Sequence, residues 1–346
     1  MSADAAMTEG ISGYMPLAAV ERNGFDEGIH FGRLLAISAS GEVLLSAGDV
    51  DAPVHPRSAN KLMQAAGMRH LGLELEGELL ALSAASHWGE PKHVDAVREL
   101  LASAGLDESA LQTAPSLPED ADARRDVIRG DGIARPILHG CSGKHAAMLA
   151  TCVVCGWDVA TYLDVDHPLQ LALRSFVESV IAEPVSHTAV DGCGAPAWAM
   201  PMPALASAYR RAVTETAERR SGDYLPAGER GRPTELAAVA DAMRAHPEFV
   251  GGEQSEVTGL MRAVPGLLVK DGAESTYVAA LPDGGTAVVK VADGGFRAGQ
   301  VVLVAALLAL GAASEPGADV AALERWGTIP VLGHGEPVGR IRPLIG

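Results

Sequence analysis

Strand signals at both ends of the chain, separated by helix signals, constrain the fold more than any other feature of the sequence. Residues 30–49 (HFGRLLAISASGEVLLSAGD) place apolar runs on either side of a Ser-Gly turn, which predicts a β-hairpin. Residues 265–281 and 284–293 predict short strands joined by Asp-Gly turns, and residues 300–311 predict a buried helix. This order favours an α+β fold whose N- and C-terminal strands pair in one antiparallel sheet.

The middle of the chain carries helix signals between loops. Helices are predicted from Ser58, behind Pro91, from Ala146, behind Pro168 and from Thr234. Two stretches, 113–135 and 214–233, are predicted to be an irregular surface crossing and a mobile surface segment. We expect residues 1–15 to be a flexible N-terminus and residues 16–346 to form a single domain, with a helical part at about 58–250.

Charge and composition narrow the function classes. The 346 residues include 27 Lys and Arg against 44 Asp and Glu, so the net charge is −17. Such a charge repels a phosphate backbone or an anionic membrane, and we therefore expect no nucleic-acid and no membrane partner. The N-terminus shows no signal-peptide pattern, which predicts a cytoplasmic protein. The chain contains no dinucleotide fingerprint and no P-loop, so no nucleotide cofactor is expected.

A dense group of reactive side chains occurs in the heptapeptide HGCSGKH at 139–145, just before an apolar, helix-forming run. The free N–H groups and the positive dipole end of that helix would favour a thiolate at Cys141. The alternative is a helix capped by Ser142 next to a buried cysteine. In a reducing compartment we expect no Cys141–Cys193 disulfide, and Cys152 and Cys155 are predicted to be core residues.

Two further patterns contain nucleophiles. Ser58 and Lys61 lie three apart at a helix start, on one face, which is the S-x-x-K arrangement of a serine activated by a lysine. A simple Ser cap followed by a surface lysine remains open as the alternative. Ser86 and His87 are predicted on a connecting loop, where polar residues more often serve a site than a core.

Seven motifs then occur in one order along the chain. They are R-S-x-x-K at 57–61, A-S-H-x-G-E at 85–90, C-S-G-K-H at 141–145, H-P-x-Q at 167–170, D-G-C-G-A-P at 191–196, K-x-G-A-E at 270–274 and D-G at 293–294. Together they resemble the asparaginase II family, the rhizobial-type L-asparaginases, over residues 16–311. That family is similar in fold to serine β-lactamases and penicillin-binding proteins, which implies a three-layer α+β fold with helices on the faces of the sheet.

The resemblance implies a set of site residues. Ser58 would be the nucleophile with Lys61 as its base, and Ser86 with Lys270 would form a second Ser–Lys pair. The implied zinc ligands are Cys141, Lys144 and Cys193, and the implied substrate-binding residues are Arg57, His87, His145 and Asp191. One departure from the family pattern falls beside Lys270, where Ser275-Thr276 follows Glu274.

The implied activity is hydrolysis of the side-chain amide of L-asparagine to L-aspartate and ammonia, by a homodimer. Two alternatives stay open from the sequence. One is another serine amidohydrolase on the same fold, acting on glutamine, a β-lactam or a D-amino peptide. The other is a zinc-dependent amide-binding module without catalysis.

Overall fold

One antiparallel sheet joins the two ends of the chain. The computed structural model describes residues 13–130, 132–221 and 234–345. The strands in this part of the chain are β1 (Met15–Arg22), β2 (Phe25–Ile37), β3 (Val43–Ala47), β4 (His187–Val190), β5 (Pro196–Ala199), β6 (Leu268–Gly272), β7 (Thr276–Ala280), β8 (Thr286–Val291), β9 (Pro330–Gly333) and β10 (Glu336–Pro343). Eight of them form the main sheet, and β4 with β5 forms a separate hairpin.

The strand order of the main sheet is β6-β7-β8-β2-β1-β10-β9, and β3 pairs with the end of β2 that β1 leaves free. Leu35 of β2 lies opposite Val288 of β8, and Ala19 of β1 lies opposite Arg342 of β10. The predicted pairing of N- and C-terminal strands in one antiparallel sheet is therefore confirmed. The 13-residue strand β2 pairs with β1, β3 and β8, and it therefore joins the N-terminal strands to the C-terminal strands.

Three strands of this sheet were not predicted from the sequence. Strand β1 begins at Met15, inside the stretch expected to be flexible, while residues 1–12 lie outside the described residues. Strands β9 and β10 form a C-terminal hairpin whose residues are mostly exposed or half-buried. Neither hairpin strand shows a strong two-residue alternation, and Pro337 is typical of sheet edges.

The turn between β6 and β7 differs from the predicted Asp-Gly turn. Asp271 and Gly272 belong to β6, and the chain reverses at Glu274 and Ser275, which adopt φ values of +60° and +51°. Two non-glycine residues in the left-handed region are uncommon, and an Asn-Gly or Asp-Gly pair is the usual choice there. The second predicted turn is confirmed, since Gly284 at φ +95° joins β7 to β8.

The helices lie between and beside these strands. In the described part of the chain they are α1 (Lys61–His70), α2 (Gly77–Ser83), α3 (Pro91–Ser103), α4 (Ala121–Arg129), α5 (Ser142–Cys155), α6 (Pro168–Ile181), α7 (Met202–Ser221), α8 (Glu235–Ala245), α9 (Pro247–Val250), α10 (Glu256–Ala263), α11 (Phe296–Ala309) and α12 (Val320–Trp326). The helices predicted behind Pro91, behind Pro168 and after Thr234 are confirmed.

Two helices cover the sheet, and the others pack mainly on one another. Helix α11 contacts β1, β7, β8 and β10, and α7 contacts β2, β7 and β8. Helices α1, α2, α3, α5, α6 and α8 form a helical group in which α5 is buried from Ser142 through Cys152. This mixed helix and antiparallel-sheet architecture is the predicted α+β class.

The surface segments depart in part from expectation. The stretch 113–135, predicted to be irregular, contains α4, whose N-terminus is capped by Asp120 accepting from Ala123 N at 2.8 Å. None of its residues is buried, so the sequence of this helix lacks the strong apolar periodicity from which a helix is predicted. Of the predicted mobile segment 214–233, the first residues continue α7 to Ser221 and residues 222–233 lie outside the described residues. No helix among the described residues has the length and apolarity needed to cross a membrane.

Candidate active site

A cavity of about 670 Å³ opens where the helical group meets the sheet. Its walls include six of the site residues named from the sequence, which come from four separate segments: Arg57, Ser58, Ser86, Cys141, Asp191 and Cys193. The fold therefore brings together hydroxyl, thiol and charged groups that are up to about 135 positions apart in the chain.

Ser58 sits in a 3₁₀ turn, Arg57–Asn60, that leads directly into α1. Arg57 adopts φ +52°, an uncommon conformation for a residue with a Cβ, and backbone strain of this kind clusters at functional sites. Strand β6 approaches the turn closely at Gly272, where a Cβ would contact Pro56 O and lie 3.2 Å from Ser58 N. Glycine is required at 272 because the two backbones nearly touch there.

Both predicted catalytic lysines converge on Ser86. Lys61 Nζ lies 3.1 Å from Ser86 Oγ, and Lys270 Nζ lies 2.9 Å from the same oxygen. The loop that carries Ser86 is held by backbone hydrogen bonds, from Ser86 N to Val250 O at 2.8 Å and from Trp88 N to Gly251 O at 2.9 Å. Ser86 is thus a fixed hydroxyl between two buried amines.

Lys61 makes no hydrogen bond to Ser58 in the described part of the chain. Lys61 Nζ donates to Ala85 O and Ser86 Oγ instead, while Ser58 lines the cavity with a free hydroxyl. The structure places Ser58 and the Ser86–lysine group at the same cavity without joining them directly. In ligand-free sites catalytic hydrogen bonds are often long and tighten only when substrate binds.

The environment of Lys270 lowers the pKa of its amine. Burial is the largest influence and lowers the pKa of Lys270, and the nearby charge of Lys61 acts in the same direction. The carboxylate of Asp271 opposes this shift through an ion pair with Lys270 Nζ, and the Asp271 carbonyl accepts from Nζ at 3.0 Å. The net direction is downward, as a lysine needs for acid–base work near neutral pH.

The three implied zinc ligands form one group. Lys144 Nζ donates to Cys193 Sγ at 3.3 Å, and the thiols of Cys141 and Cys193 hydrogen-bond to each other. That bond is the main reason why the pKa of Cys141 lies well below the ordinary thiol value, despite burial. The same bond, together with burial, raises the pKa of Cys193. Of the two coupled thiols, Cys141 therefore has the lower pKa.

The donor chemistry of this group suits zinc. Two sulfurs and one nitrogen are ligand types that zinc takes in proteins. Burial lowers the pKa of Lys144, but the charges of Cys193 and Cys141 outweigh it and the net pKa is raised, so an amine ligand would have to release its proton. Among the described residues, no group of three or more His, Cys, Asp or Glu side chains is arranged to hold a metal ion.

The two histidines implied for substrate binding lie behind the cavity wall. His87 is fully buried, with Nε2 at 2.8 Å from Ser142 Oγ and its ring stacked on His93 at 5.0 Å. His145 is also buried, with Nδ1 at 2.7 Å from Tyr162 Oη. Burial lowers the pKa of both imidazoles well below the usual value. The structure therefore places both as neutral rings that support the cavity wall, and it does not bring them into the lining.

Arg57 and Asp191, in contrast, face the cavity as an ion pair. Arg57 Nε donates to Asp191 Oδ1 at 2.7 Å, and Gly192 N donates to the same oxygen at 2.7 Å. The pair links the Ser58 turn to the loop that carries Cys193. A joined positive and negative group at a cavity wall can receive the two charges of a free amino acid.

Three acidic residues of the site were not found from the sequence. Asp271 pairs with Lys270, and Glu119 and Glu256 line the cavity. Burial and the charge of Asp271 raise the pKa of Glu256, whose Oε1 accepts from Tyr277 Oη at 3.0 Å. Asp271 could have been noticed beside Lys270, but Glu256 looks like an ordinary acid in the first turn of a helix.

Comparison with known proteins decides the family. The family model described as L-asparaginase II matches residues 18–343. The chain belongs to the L-asparaginase II family. Membership of this family supports an asparaginase-type amidohydrolase acting on a small-molecule substrate. The matched residues include all seven motifs of the sequence analysis and strands from both ends of the chain.

Two other comparisons add little. The search of curated proteins gives no match. Among solved structures, a crystal structure from Bacteroides dorei DSM 17855 described as a beta-lactamase matches with a TM-score of 0.39 and 14% sequence identity, covering 83% of this chain and 89% of the other. Similarity at that level carries no argument about the site.

Proposed function

We propose that this member of the L-asparaginase II family hydrolyses the side-chain amide of L-asparagine to L-aspartate and ammonia through an acyl-enzyme on Ser58. The observation that carries the proposal is the meeting of two buried lysine amines at Ser86 Oγ, at 3.1 and 2.9 Å, in a cavity that Ser58 also lines. Two amines that contact the same hydroxyl can pass protons through it. A serine in the same cavity can then act as the nucleophile.

In the first half-reaction Ser58 Oγ attacks the side-chain amide carbon, and its proton passes to the Lys61–Ser86–Lys270 group, with Lys61 as the receiving base. The carbon–nitrogen bond then breaks, and the nitrogen leaves as ammonia with a proton from the lysine group. In the second half-reaction water attacks the ester carbon, its proton is taken by the same group, and Ser58 Oγ regains a proton. One water is consumed and one ammonia is released.

Ser86 is proposed as the proton relay of this scheme. A hydroxyl carries one donor and two acceptor positions, so Ser86 Oγ can accept from a charged lysine while donating to a neutral one. It contacts Lys61 on one side and Lys270 on the other. The lowered pKa of Lys270 makes its amine a suitable acceptor for a proton relayed through Ser86 Oγ.

Substrate binding is assigned to the Arg57–Asp191 pair on the cavity wall. The guanidinium would receive the α-carboxylate of asparagine, and the Asp191 carboxylate would receive the α-ammonium. His87 and His145 would contribute indirectly, through Ser142 and Tyr162.

Zinc is proposed at Cys141, Lys144 and Cys193, whose sulfur and nitrogen atoms already contact one another. A zinc ion there would act as a Lewis acid toward a substrate oxygen or would orient the substrate. The cysteine and lysine side chains would release their protons on binding. Elemental analysis of the purified protein measures its zinc content directly.

Ammonia release from L-asparagine tests the proposed function, with Ser58→Ala and Ser116→Ala as matched variants. Both serines line the cavity, but Ser116 engages Arg135 only through backbone atoms. We expect Ser58→Ala to lose at least about a thousandfold in kcat, as removal of a nucleophile does, and Ser116→Ala to stay near wild type. Wild-type turnover by Ser58→Ala would contradict the nucleophile assignment.

A substrate panel separates the proposed activity from its alternatives. Glutamine, a β-lactam and a D-amino peptide are compared with asparagine, and we expect asparagine to have the highest kcat/KM. Faster turnover of any other compound would reassign the substrate, and asparagine binding without ammonia release would favour a non-catalytic module.

We also propose a cytoplasmic homodimer. The family resemblance supports the dimer, and the four free cysteines fit a reducing compartment. Light scattering should give twice the chain mass of 35.7 kDa. A mass equal to one chain would overturn the dimer.

A further inference from the structure

A second cavity, of about 380 Å³, lies on the far side of Arg57 from the candidate active site. Its ionisable lining residues are Tyr14, His55, Arg57, Glu274 and Lys290. None of these except Arg57 has a part in the proposed reaction. The basic groups outnumber the single carboxylate, which makes the cavity a candidate site for an anion.

Lys290 is the most unusual of these groups. Its half-buried ammonium donates to the Glu274 carbonyl oxygen and makes no ion pair with a carboxylate in residues 13–130, 132–221 and 234–345. Burial lowers the pKa of Lys290 to about 8; Glu274 opposes this shift and Arg57 adds to it. A poorly solvated ammonium without an anion is costly, and a bound carboxylate would relieve that cost.

The carboxylate of Glu274 is turned toward another contact. A Cβ at Gly294 would lie within reach of Glu274 Oε2, which shows that the carboxylate packs against the Gly294 turn. Glu274 itself adopts φ +60°, in the β6–β7 turn where this chain departs from the family pattern. The backbone oxygen of Glu274, and not its carboxylate, accepts the hydrogen bond from Lys290 Nζ.

His55 adds an unused polar atom to the same cavity. Its ring meets that of His187 edge to face at 5.7 Å, and His55 Nδ1 is buried without a hydrogen-bond partner in the described structure. Burial is the main cause of its lowered pKa, and His187, Arg57 and Lys290 lower it further while Asp191 opposes them. The groups that lower the pKa of His55 outnumber the one that raises it, which favours a negative ligand beside the ring.

Arg57 connects the two cavities. It lines both, and its guanidinium is held on the active-site side by Asp191 at 2.7 Å. An anion in the second cavity would compete with Asp191 for this guanidinium. Because Ser58 follows Arg57 in the same 3₁₀ turn, a shift of Arg57 would reach the proposed nucleophile.

We propose that the second cavity binds a small carboxylate, with Lys290 as its main anchor, and that Arg57 transmits this binding to the active site. The ligand class follows from one unpaired ammonium, one guanidinium and one unused imidazole nitrogen around a space that suits a small organic acid. The binding claim does not depend on the proposed asparaginase activity, and the coupling claim does.

Calorimetric titration with succinate at fixed ionic strength tests the binding claim, using wild type, Lys290→Met and Lys92→Met. Lys92 is the matched control, since its ammonium pairs with Glu90 and Glu253 away from both cavities. Loss of a charge-assisted contact should weaken succinate binding at least about tenfold in Lys290→Met and leave Lys92→Met unchanged. Equal affinity in Lys290→Met and wild type, or no binding by wild type at millimolar succinate, would overturn the proposal.

Asparagine kinetics with added succinate test the coupling. We expect succinate to lower kcat in wild type at saturating asparagine and to have no such effect in Lys290→Met. An increase in KM alone, equal in both proteins, would place succinate in the active site and overturn the coupling. A wild type that binds succinate but releases no ammonia from asparagine would leave the binding claim standing while refuting the proposed function.

Discussion

Replacement of Gly272 by alanine perturbs the contact on which the active-site geometry depends. The added Cβ would contact Pro56 O and lie 3.2 Å from both Ser58 N and Ala59 N. These are backbone atoms that cannot rotate away, so strand β6 and the Ser58 turn must separate. Non-bonded atoms settle at about 3.5 Å, which requires a displacement of about 1 Å.

The displacement has two measurable consequences. Overpacking of this kind lowers the free energy of unfolding by about 1–3 kcal/mol. It also moves Lys270, on the same strand, relative to Ser58, and a misplacement of about 1 Å costs about a hundredfold in rate. We therefore expect Gly272→Ala to fold, to unfold at a lower urea concentration, and to lose about a hundredfold in kcat/KM.

Gly28→Ala is the matched control for this experiment. Gly28 also lies in a strand, and a Cβ there meets only Val20, at 3.7 Å, which is an ordinary contact. We expect its unfolding free energy to change by less than about 0.5 kcal/mol and its kinetics to match wild type. Wild-type kcat/KM in Gly272→Ala would refute the claim that β6 sets the distance between Ser58 and the lysine group.

Three further predictions follow from the same site. The kcat/KM should rise with pH as Lys270 loses its proton, with a midpoint below the ordinary lysine value of 10.5, and Lys270→Arg should remove this limb. In zinc-free protein, Cys193→Ala should raise the pKa of Cys141 by removing its main stabilising hydrogen bond, so that iodoacetamide alkylates Cys141 more slowly at pH 7; an unchanged rate would contradict the shared proton. Tyr277→Phe should lower the free energy of unfolding by about 1 kcal/mol, because the buried Glu256 carboxyl loses its donor, and a urea titration measures this loss.

Much of the fold could be predicted because its elements have local signals. The β2–β3 and β7–β8 hairpins and the helices behind Pro91 and Pro168 all show turn or start residues in the sequence. Strands β1 and β10 could not be found in this way, since they form by pairing residues over 300 positions apart. Strands with weak alternation depend on the partner strand for their conformation.

The sequence predicted which residues belong to the site better than it predicted which of their side chains are in contact. The family motifs named the cavity residues Ser58, Ser86, Cys141 and Cys193. The spacing of Ser58 and Lys61 predicted that the two side chains share one helix face, but the amine reaches Ser86, whose loop is fixed beside it by Val250 O. Side-chain direction of this kind is set by long-range packing, which no local pattern contains.

Acid quench of the asparagine reaction, followed by peptide mass spectrometry, tests the central claim most directly. The proposed mechanism predicts an aspartyl ester on the peptide that contains Ser58, and none on the peptide that contains Ser86. The same ester on Ser86, or turnover without any ester on Ser58, would contradict the assignment of nucleophile and relay.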